Sequence, residues 1–417
     1  VNVRPTQLAG GGWATRPGLD EVVAGRPQLM RAMNEETVIT ALRRRGPLVR
    51  ADLGRLSGLS KPTVSLALVN LERGGLVRVA GRQSGSRGPA ALLYEVNPEA
   101  GFVLALDVGA EYVRGAIGDL SGRVRVRGQR GVHAAGMHAR LSGLVGLADE
   151  LVGDAGITRA EVTQTIVGSP GVYDQSRNVL TLAMTGWESP GVLAELRHAF
   201  GASTIIENDV NLAALAERDH GHGREVDTFA FVSVGSGIGM GLVLSGKLHT
   251  GAHGAAGEIG FLPLGSTGPQ GSEGPLASAG PLGALDPRRR GSLERVASAA
   301  GVVDAARRHG MTGRLSAKGV FDAAAGGDAR AAAVVAEEAR LVAQAVASVS
   351  SVVDPGLVVL GGGIGSAPGL AGAVAAELRG IVPIVPDVRT SALGGDAIVD
   401  GGLVAGVDTA WRRLLEA

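Results

Sequence analysis

Ile206-Glu207-Asn208-Asp209-Val210-Asn211 is the stretch on which the fold turns. An apolar pair, Ile205 and Ile206, runs into a carboxylate, an amide and a second carboxylate, and a helical pattern follows over Leu212 to Glu217. Two further strings stand downstream in fixed order. The first is Gly235-Ser236-Gly237-Ile238-Gly239-Met240-Gly241 and the second is Gly257-Glu258-Ile259-Gly260. Glycines at Gly235, Gly237 and Gly239 let backbone N–H groups come close to an anion or a ring hydroxyl. A third string, Leu360-Gly361-Gly362-Gly363-Ile364-Gly365, follows a strand and precedes a helix, which suits a nucleotide base or tight packing. Each of these, taken singly, also reads as a plain tight turn in a chain with 67 glycines.

Around these strings the texture from Gly101 onward is that of an α/β protein. Phe102 to Val108 is a near-continuous apolar strand, with strands expected at Val113 to Leu120 and Val124 to Gly131 and a Ser121-Gly122 turn between them. A helix is expected over about Ala139 to Val152. The pattern returns about 125 residues later, with strands at Phe229 to Val234 and Gly239 to Leu244 and Ser245-Gly246 as the turn. Two similar halves imply a duplicated α/β unit with a cleft between lobes, and clefts of this kind bind small ligands.

The N-terminal part reads differently. Asn34-Glu35-Glu36-Thr37 has the form of a helix start, with Asn34 as cap and acids in the first turn. Gly46-Pro47 stops that helix, and a second short helix covers about Arg50 to Leu56. Ser60 caps a third, with Pro62 in its first turn, where a missing N–H costs nothing. Val64, Leu68 and Leu71 give it one buried face. Lys61, Thr63, Ser65 and Asn70 are expected on the opposite face, small or polar enough to approach base edges. Short strands at Leu76 to Ala80 and Leu92 to Val96 flank a basic loop, Gly81 to Pro89, that carries Arg82 and Arg87. Three helices and a basic hairpin describe a winged helix-turn-helix. Its third helix would enter the major groove, while Arg82 and Arg87 reach phosphate or the minor groove.

Charge agrees with this division. Lys+Arg and Asp+Glu are both 40, yet between Arg31 and Pro89 eleven basic residues face four acidic ones. A basic module on a mildly acidic body is the electrostatic footprint of nucleic-acid binding. The chain has no cysteine, which excludes disulfides and thiolate metal sites and suits a cytoplasmic protein. No run of about 18 apolar residues exists, so no membrane span is expected. With 417 residues, two or three domains are expected. Residues 1–27 read as a disordered tail, 28–98 as the DNA-binding module and 99–417 as the two-lobed body, with a Gly/Pro-rich insert at about 262–290.

The order of the pieces resembles the ROK family of repressors, open reading frames and sugar kinases. The matching strings are Gly168-Ser169-Pro170-Gly171-Val172, Glu207 to Asn211, Gly235 to Gly241, Gly251 to Glu258, Gly291-Ser292-Leu293-Glu294 and Gly361-Gly362-Gly363. The resemblance covers about Arg31 to the C-terminus. It implies a two-lobed actin-like ATPase (sugar-kinase) body behind an N-terminal winged helix. It also implies that Asn208, Asp209, Glu258, Glu294 and Gly171 line a sugar site, with Asp209 at the position of the kinase base. Carboxylates and amides suit that task because each takes two neighbouring hydroxyls.

The departures from the family pattern matter as much. Kinases of the family carry Asp-x-Gly-Gly-Thr-Lys at the first phosphate turn, where this chain reads Asp107-Val108-Gly109-Ala110-Glu111-Tyr112. Glu111 would set a carboxylate against the ATP phosphates, so ATP use is not expected and no catalytic residue is assigned. The family zinc site takes a His where Phe261 stands and three Cys, the last where Ser292 stands, so no metal is expected. Either the insert is mobile or Phe261 and Leu262 pack as an apolar substitute. The expected activity is that of a transcriptional regulator, a repressor, working as a homodimer or higher homo-oligomer on double-stranded operator DNA under control of a sugar or sugar phosphate. The rival readings are an active sugar kinase that keeps a DNA-binding domain, and a regulator governed by a protein partner.

Overall fold

The computed structural model describes residues 27–83, 90–109, 111–132, 136–181, 187, 191–264 and 291–416. The chain divides into two compact units, with the break between Val96 and Asn97 and the last residues from Leu415 grouped with the N-terminal unit.

The N-terminal unit contains α1 (Pro27–Arg45), β1 (Leu48–Val49), α2 (Arg50–Ser57), α3 (Lys61–Arg73), β2 (Val77–Gln83) and β3 (Ala91–Val96). The strands form a small antiparallel sheet in the order β1-β3-β2. Val38, Ile39, Leu42, Leu53, Val64, Leu68 and Leu71 close the core between the helices. Ser60 caps α3 by accepting from the Thr63 backbone N–H, with Pro62 in the first turn. The helix start expected at Asn34 is corrected: α1 runs from Pro27, and Asn34 lies inside it. β1 was not foreseen because two residues carry no periodicity. Arg82 lies on β2, whereas Arg87 falls outside the described residues.

The larger unit repeats one strand pattern twice. Its first sheet holds β4 (Phe102–Val108), β5 (Tyr112–Asp119), β6 (Val124–Gly131), β7 (Val162–Ser169) and β10 (Ile205–Asn208), in the order β10-β7-β4-β5-β6. A two-stranded ribbon of β8 (Val172–Asp174) and β9 (Val179–Thr181) follows β7. The second sheet holds β11 (Phe229–Val234), β12 (Ile238–Leu244), β13 (Lys247–His249), β14 (Leu357–Gly361) and β15 (Asp387–Thr390), in the order β13-β12-β11-β14-β15. In each sheet three antiparallel strands are extended by two parallel ones. Strands β4 and β14 are buried at every position, in keeping with their near-continuous apolar runs.

Among the described residues ten helices complete this unit: α4 (Met137–Asp154), α5 (Val192–Phe200), α6 (Asp209–His220), α7 (Ser292–Ala297), α8 (Ala299–Arg308), α9 (Ala317–Ala325), α10 (Ala329–Val353), α11 (Gly362–Gly365), α12 (Leu370–Leu378) and α13 (Ala397–Glu416). Helices α4 and α5 cover one face of the first sheet through Leu144, Leu151, Leu193 and Leu196. Helices α7 to α10 and α12 cover one face of the second. Helices α6 and α13 lie on the remaining faces and join the two halves, with Leu212 and Leu215 against Ile166, and Ala213 and Ala216 against Phe229 and Phe231. At their crossing a Cβ on Gly401 would stand 1.7 Å from the Leu212 carbonyl oxygen, so only glycine lets the two backbones meet. Among the described residues no helix is long and apolar enough to cross a membrane.

Candidate functional site

Strand β10 ends where α6 begins, and that junction builds the site. Asn208 keeps an extended backbone and caps α6, its Oδ1 accepting from the backbone N–H of Val210 (2.9 Å) and Asn211 (3.1 Å). Its Nδ2 donates to the Gly171 carbonyl at 3.0 Å. An amide nitrogen carries two hydrogens, so the second remains for a ligand. Behind it Glu207 accepts from the Asn208 backbone N–H (2.8 Å) and from Asn211 Nδ2 (2.9 Å), which fixes the capping residue from the rear. Burial pushes the Glu207 carboxyl up.

Asp209 opens the helix and accepts from the Val210 N–H at 2.8 Å. Burial raises its pKa to about 6 against the pull of backbone hydrogen bonds. Asp107, buried at the end of β4, rises to about 7 through burial first and then through the Asp209 charge, with Arg114 opposing at 3.6 Å. Glu258 also rises to about 7, through burial and then through Asp209 and Glu294. Four carboxylates from four segments therefore sense one another in a chain: Asp107 with Asp209, Asp209 with Glu258, and Glu258 with Glu294.

Glycines set the two glutamates. Gly257 has φ +93°, and a Cβ there would stand 1.8 Å from the Met240 carbonyl oxygen, so the turn before Glu258 presses onto β12. The Met240 N–H donates back to the Gly257 carbonyl at 2.9 Å. Glu294, in the first turn of α7, lies over the Gly235 to Gly237 turn, its carboxylate 3.7 Å from where a Gly237 Cβ would be. Asn208, Asp209 and Gly171 thus meet at one junction, and Glu258 and Glu294 join them through charge. Asp107 opens the string compared with the family's first phosphate turn but was not assigned to the site from sequence. Its signal was a lone carboxylate closing an otherwise apolar strand.

Phe261 corrects part of an expectation. Leu262 and Leu264 pack on the core of the second half, but the Phe261 side chain is 38% exposed and does not fill the place of a metal. Glu111 is exposed at the start of β5, and its carbonyl accepts from the Val132 N–H at 2.8 Å.

The separate N-terminal unit carries the second set of expected residues, on α3. Lys61 is exposed, and Thr63 Oγ1 lies 2.8 Å from Ser60 Oγ, inside the cap. Ser65 is half-buried. Asn70 is corrected: its Nδ2 donates to Glu35 Oε1 on α1 at 2.8 Å, so it ties two helices together. Arg82 is exposed on β2. The exposed residues of α3 are Lys61, Pro62, Leu66, Val69, Glu72 and Arg73.

The sequence matches the ROK family over residues 103–392, from the first strand of the larger unit to the turn after β15. The chain belongs to the ROK family. Among relatives of this ROK protein, the xylose repressor of Bacillus subtilis (strain 168) is 24% identical over 243 residues, 58% of this chain and 63% of the relative. The glucokinase of Thermotoga maritima is 30% identical over 135 residues, 32% of this chain and 38% of the relative. The chain thus spans less than two thirds of the length of the repressors it matches. A solved ROK family transcriptional regulator, a homologue of the Escherichia coli MLC protein, superposes with a TM-score of 0.72 at 23% identity, covering 93% of this chain and all of that one. The ROK hexokinase of Thermus thermophilus superposes with a TM-score of 0.60 at 27% identity, over 75% of this chain and 99% of that one. The two-lobed fold is therefore that of ROK proteins.

The residues of this ROK chain do not fit the family's zinc. Phe261 and Ser292 hold two of its positions, no cysteine exists anywhere in the sequence, and among the described residues no group of three His, Cys, Asp or Glu side chains is placed to hold a metal.

Proposed function

We propose that this protein is a sugar-responsive transcriptional repressor that binds operator DNA as a homodimer or higher homo-oligomer. The observation that carries the reading is the union, in one chain, of a capped helix-turn-helix with exposed cations and a ROK cleft whose Asn208, Asp209, Glu258 and Glu294 suit sugar hydroxyls. The name of the xylose repressors, which share this body, points to the same class of function. Ligand acts by binding one arrangement of the protein better than another, and it shifts the population only by that difference. Two-fold operators present half-sites a whole number of helical turns apart, which a symmetric dimer meets.

From the carboxylates of the site we infer that the effector is an unphosphorylated sugar. A phosphate would enter beside four carboxylates at reduced dielectric, whereas a neutral sugar donates hydroxyl hydrogens to them. The test is a thermal-shift screen with xylose, glucose and their phosphates, followed by release of bound DNA. A ligand at about 100 times its dissociation constant adds about 2.7 kcal/mol of stability. Stabilisation by a sugar phosphate alone would overturn the neutral-effector reading. Arg82→Ala is expected to weaken DNA binding across sequences and flatten the salt slope by about one unit.

The second reading is a sugar kinase. It is favoured by Asp209, a carboxylate with a pKa of about 6 at the base position. Against it stands Glu111 at the phosphate turn. We propose that the chain uses neither ATP nor zinc. ATP-dependent phosphorylation of a hexose or pentose, abolished by Asp209→Asn, would establish the kinase instead, and metal analysis of purified protein should find no stoichiometric zinc.

A further inference from the structure

The exposed side of helix α3 is not uniformly polar. At about 100° per residue, Pro62, Leu66, Val69 and Arg73 fall within about 60° of arc, directly opposite the buried Val64, Ala67, Leu68 and Leu71. Leu66 is 57% exposed and Val69 42% exposed. Lys61 and Arg73 are exposed at the two ends of the helix, and Arg82 on the neighbouring strand β2. The only acid of α3, Glu72, sits about 100° round the helix from Arg73 and about 20° from Lys61, which shares its flank. A ridge of two branched aliphatic side chains, with Arg73 in line with it and Arg82 on the neighbouring strand, matches a surface that is apolar at its centre and anionic at its margins.

The major groove of DNA is such a surface wherever thymine is present. The thymine 5-methyl group is the one apolar feature on a base edge there, and it lies between two rows of phosphates. Resting on the DNA-binding reading above, we propose that Leu66 and Val69 are specificity-determining residues that read thymine methyl groups in the operator. Leu66 and Val69 are about 4.5 Å apart along the helix axis at 1.5 Å per residue, against about 3.4 Å between base pairs. The two side chains therefore address thymines on the same or neighbouring base pairs, and each half-site carries a short A·T step under the middle of α3. Recognition by these residues depends on shape and desolvation. The hydrogen bonds and ion pairs that Lys61, Arg73 and Arg82 make to phosphates are shared by all sequences.

The experiment uses the full chain and duplexes selected from a randomised library. In the selected site each thymine is replaced in turn by uracil, which pairs identically and lacks only the methyl group. At one or two positions per half-site the replacement should weaken wild-type binding about fourfold, the effect of burying one methyl. Leu66→Ala or Val69→Ala should remove that thymine preference and leave the salt slope unchanged. Both side chains are exposed and alanine favours helix, so folding is retained. A site in which no uracil replacement matters, or a preference that survives in both variants, would overturn the assignment. So would a change in oligomeric state with Leu66→Ala and no change in thymine preference, which would make the ridge a protein contact. If the library yields no preferred sequence at all, the DNA-binding reading fails together with this one.

Discussion

Glu258 feels two neighbouring carboxylates, Asp209 and Glu294, on top of its burial. A carboxyl whose folded pKa is raised binds its proton more tightly folded than unfolded. Its contribution to stability is full below the unfolded pKa and is lost as pH rises through the folded value. For Glu258 that window runs from the model-compound value of 4.5 up to about 7, and for Asp209 from 3.8 to about 6. The ligand-free protein is therefore expected to lose stability between about pH 5 and pH 8. Glu258→Gln should remove part of this loss, on the order of 1 kcal/mol, raising the melting temperature by about 2 °C at pH 8 and leaving it unchanged at pH 5. Scanning calorimetry at the two pH values decides it, and an equal shift at both would refute the role given to ionisation. The convergence itself was only partly legible. The family strings bring Asn208, Glu258 and Glu294 to mind as a set, but the approach of Asp107 to Asp209 joins residues remote in sequence, and no local pattern encodes it.

At the scale of elements, strands declared themselves and partners did not. The bounds of β4, β6 and β11 follow from runs of apolar or alternating residues, which a sheet buried on one or both faces demands. Of the polar residues of α3, Lys61 is exposed while Thr63, Ser65 and Asn70 are half-buried, because a helical wheel shows which side is apolar but not what stands across from the flanks. Asn70 faces Glu35 across a helix contact of the kind a sequence does not print. Asn70→Ala is expected to cost about 1 kcal/mol through the lost hydrogen bond, with the preferred DNA sequence unchanged. A changed preference at normal stability would return Asn70 to the base-reading set. Helix α10 holds the opposite case. Glu338 is buried on one face with Val334, Leu341 and Val342, and among the described residues its Oε1 has no hydrogen-bond partner. Burial, and then Glu337, push its carboxyl well above the ordinary range. Glu338→Leu should raise the melting temperature at neutral pH, by an amount in keeping with the roughly 1–3 kcal/mol that an unsatisfied buried group costs. A fall in stability would show that the carboxyl has a partner in solution.

For the whole molecule, the duplicated strand order was visible in sequence as two apolar patterns with matching turns, and the structure gives both halves the same sheet. What sequence could not supply was the way α6 and α13 serve both halves together. Their backbones touch at Gly401, and Glu217 at the far end of α6 accepts from Ser391 Oγ at 2.5 Å and from the His222 N–H at 2.9 Å. The helix that begins at the Asn208 junction is thereby fixed at its middle and its end. A ligand that moves Asn208 must move the whole helix as one piece, and single replacements such as Ser391→Ala should loosen it without touching the cleft.

The residues on either side of positions 265–290 have a consequence for how freely this chain can be rebuilt. The Leu293 N–H donates to the Leu262 carbonyl at 3.2 Å, and Gly291 lies so close to Gly260 that a Cβ there would be 2.1 Å from its carbonyl oxygen. The two exits stand side by side and are stitched together by the body itself. Whatever joins them need only close a short gap, and closure entropy changes by only about 0.6 kcal/mol for each halving or doubling of length. Replacing 265–290 by a linker of a few Gly and Ser residues should therefore leave folding and sugar binding intact, as melting and ligand-shift measurements would report. The same doorway would accept a foreign domain, such as a fluorescent reporter, beside the helix that bears Glu294, turning the ROK body into a reporter of ligand binding.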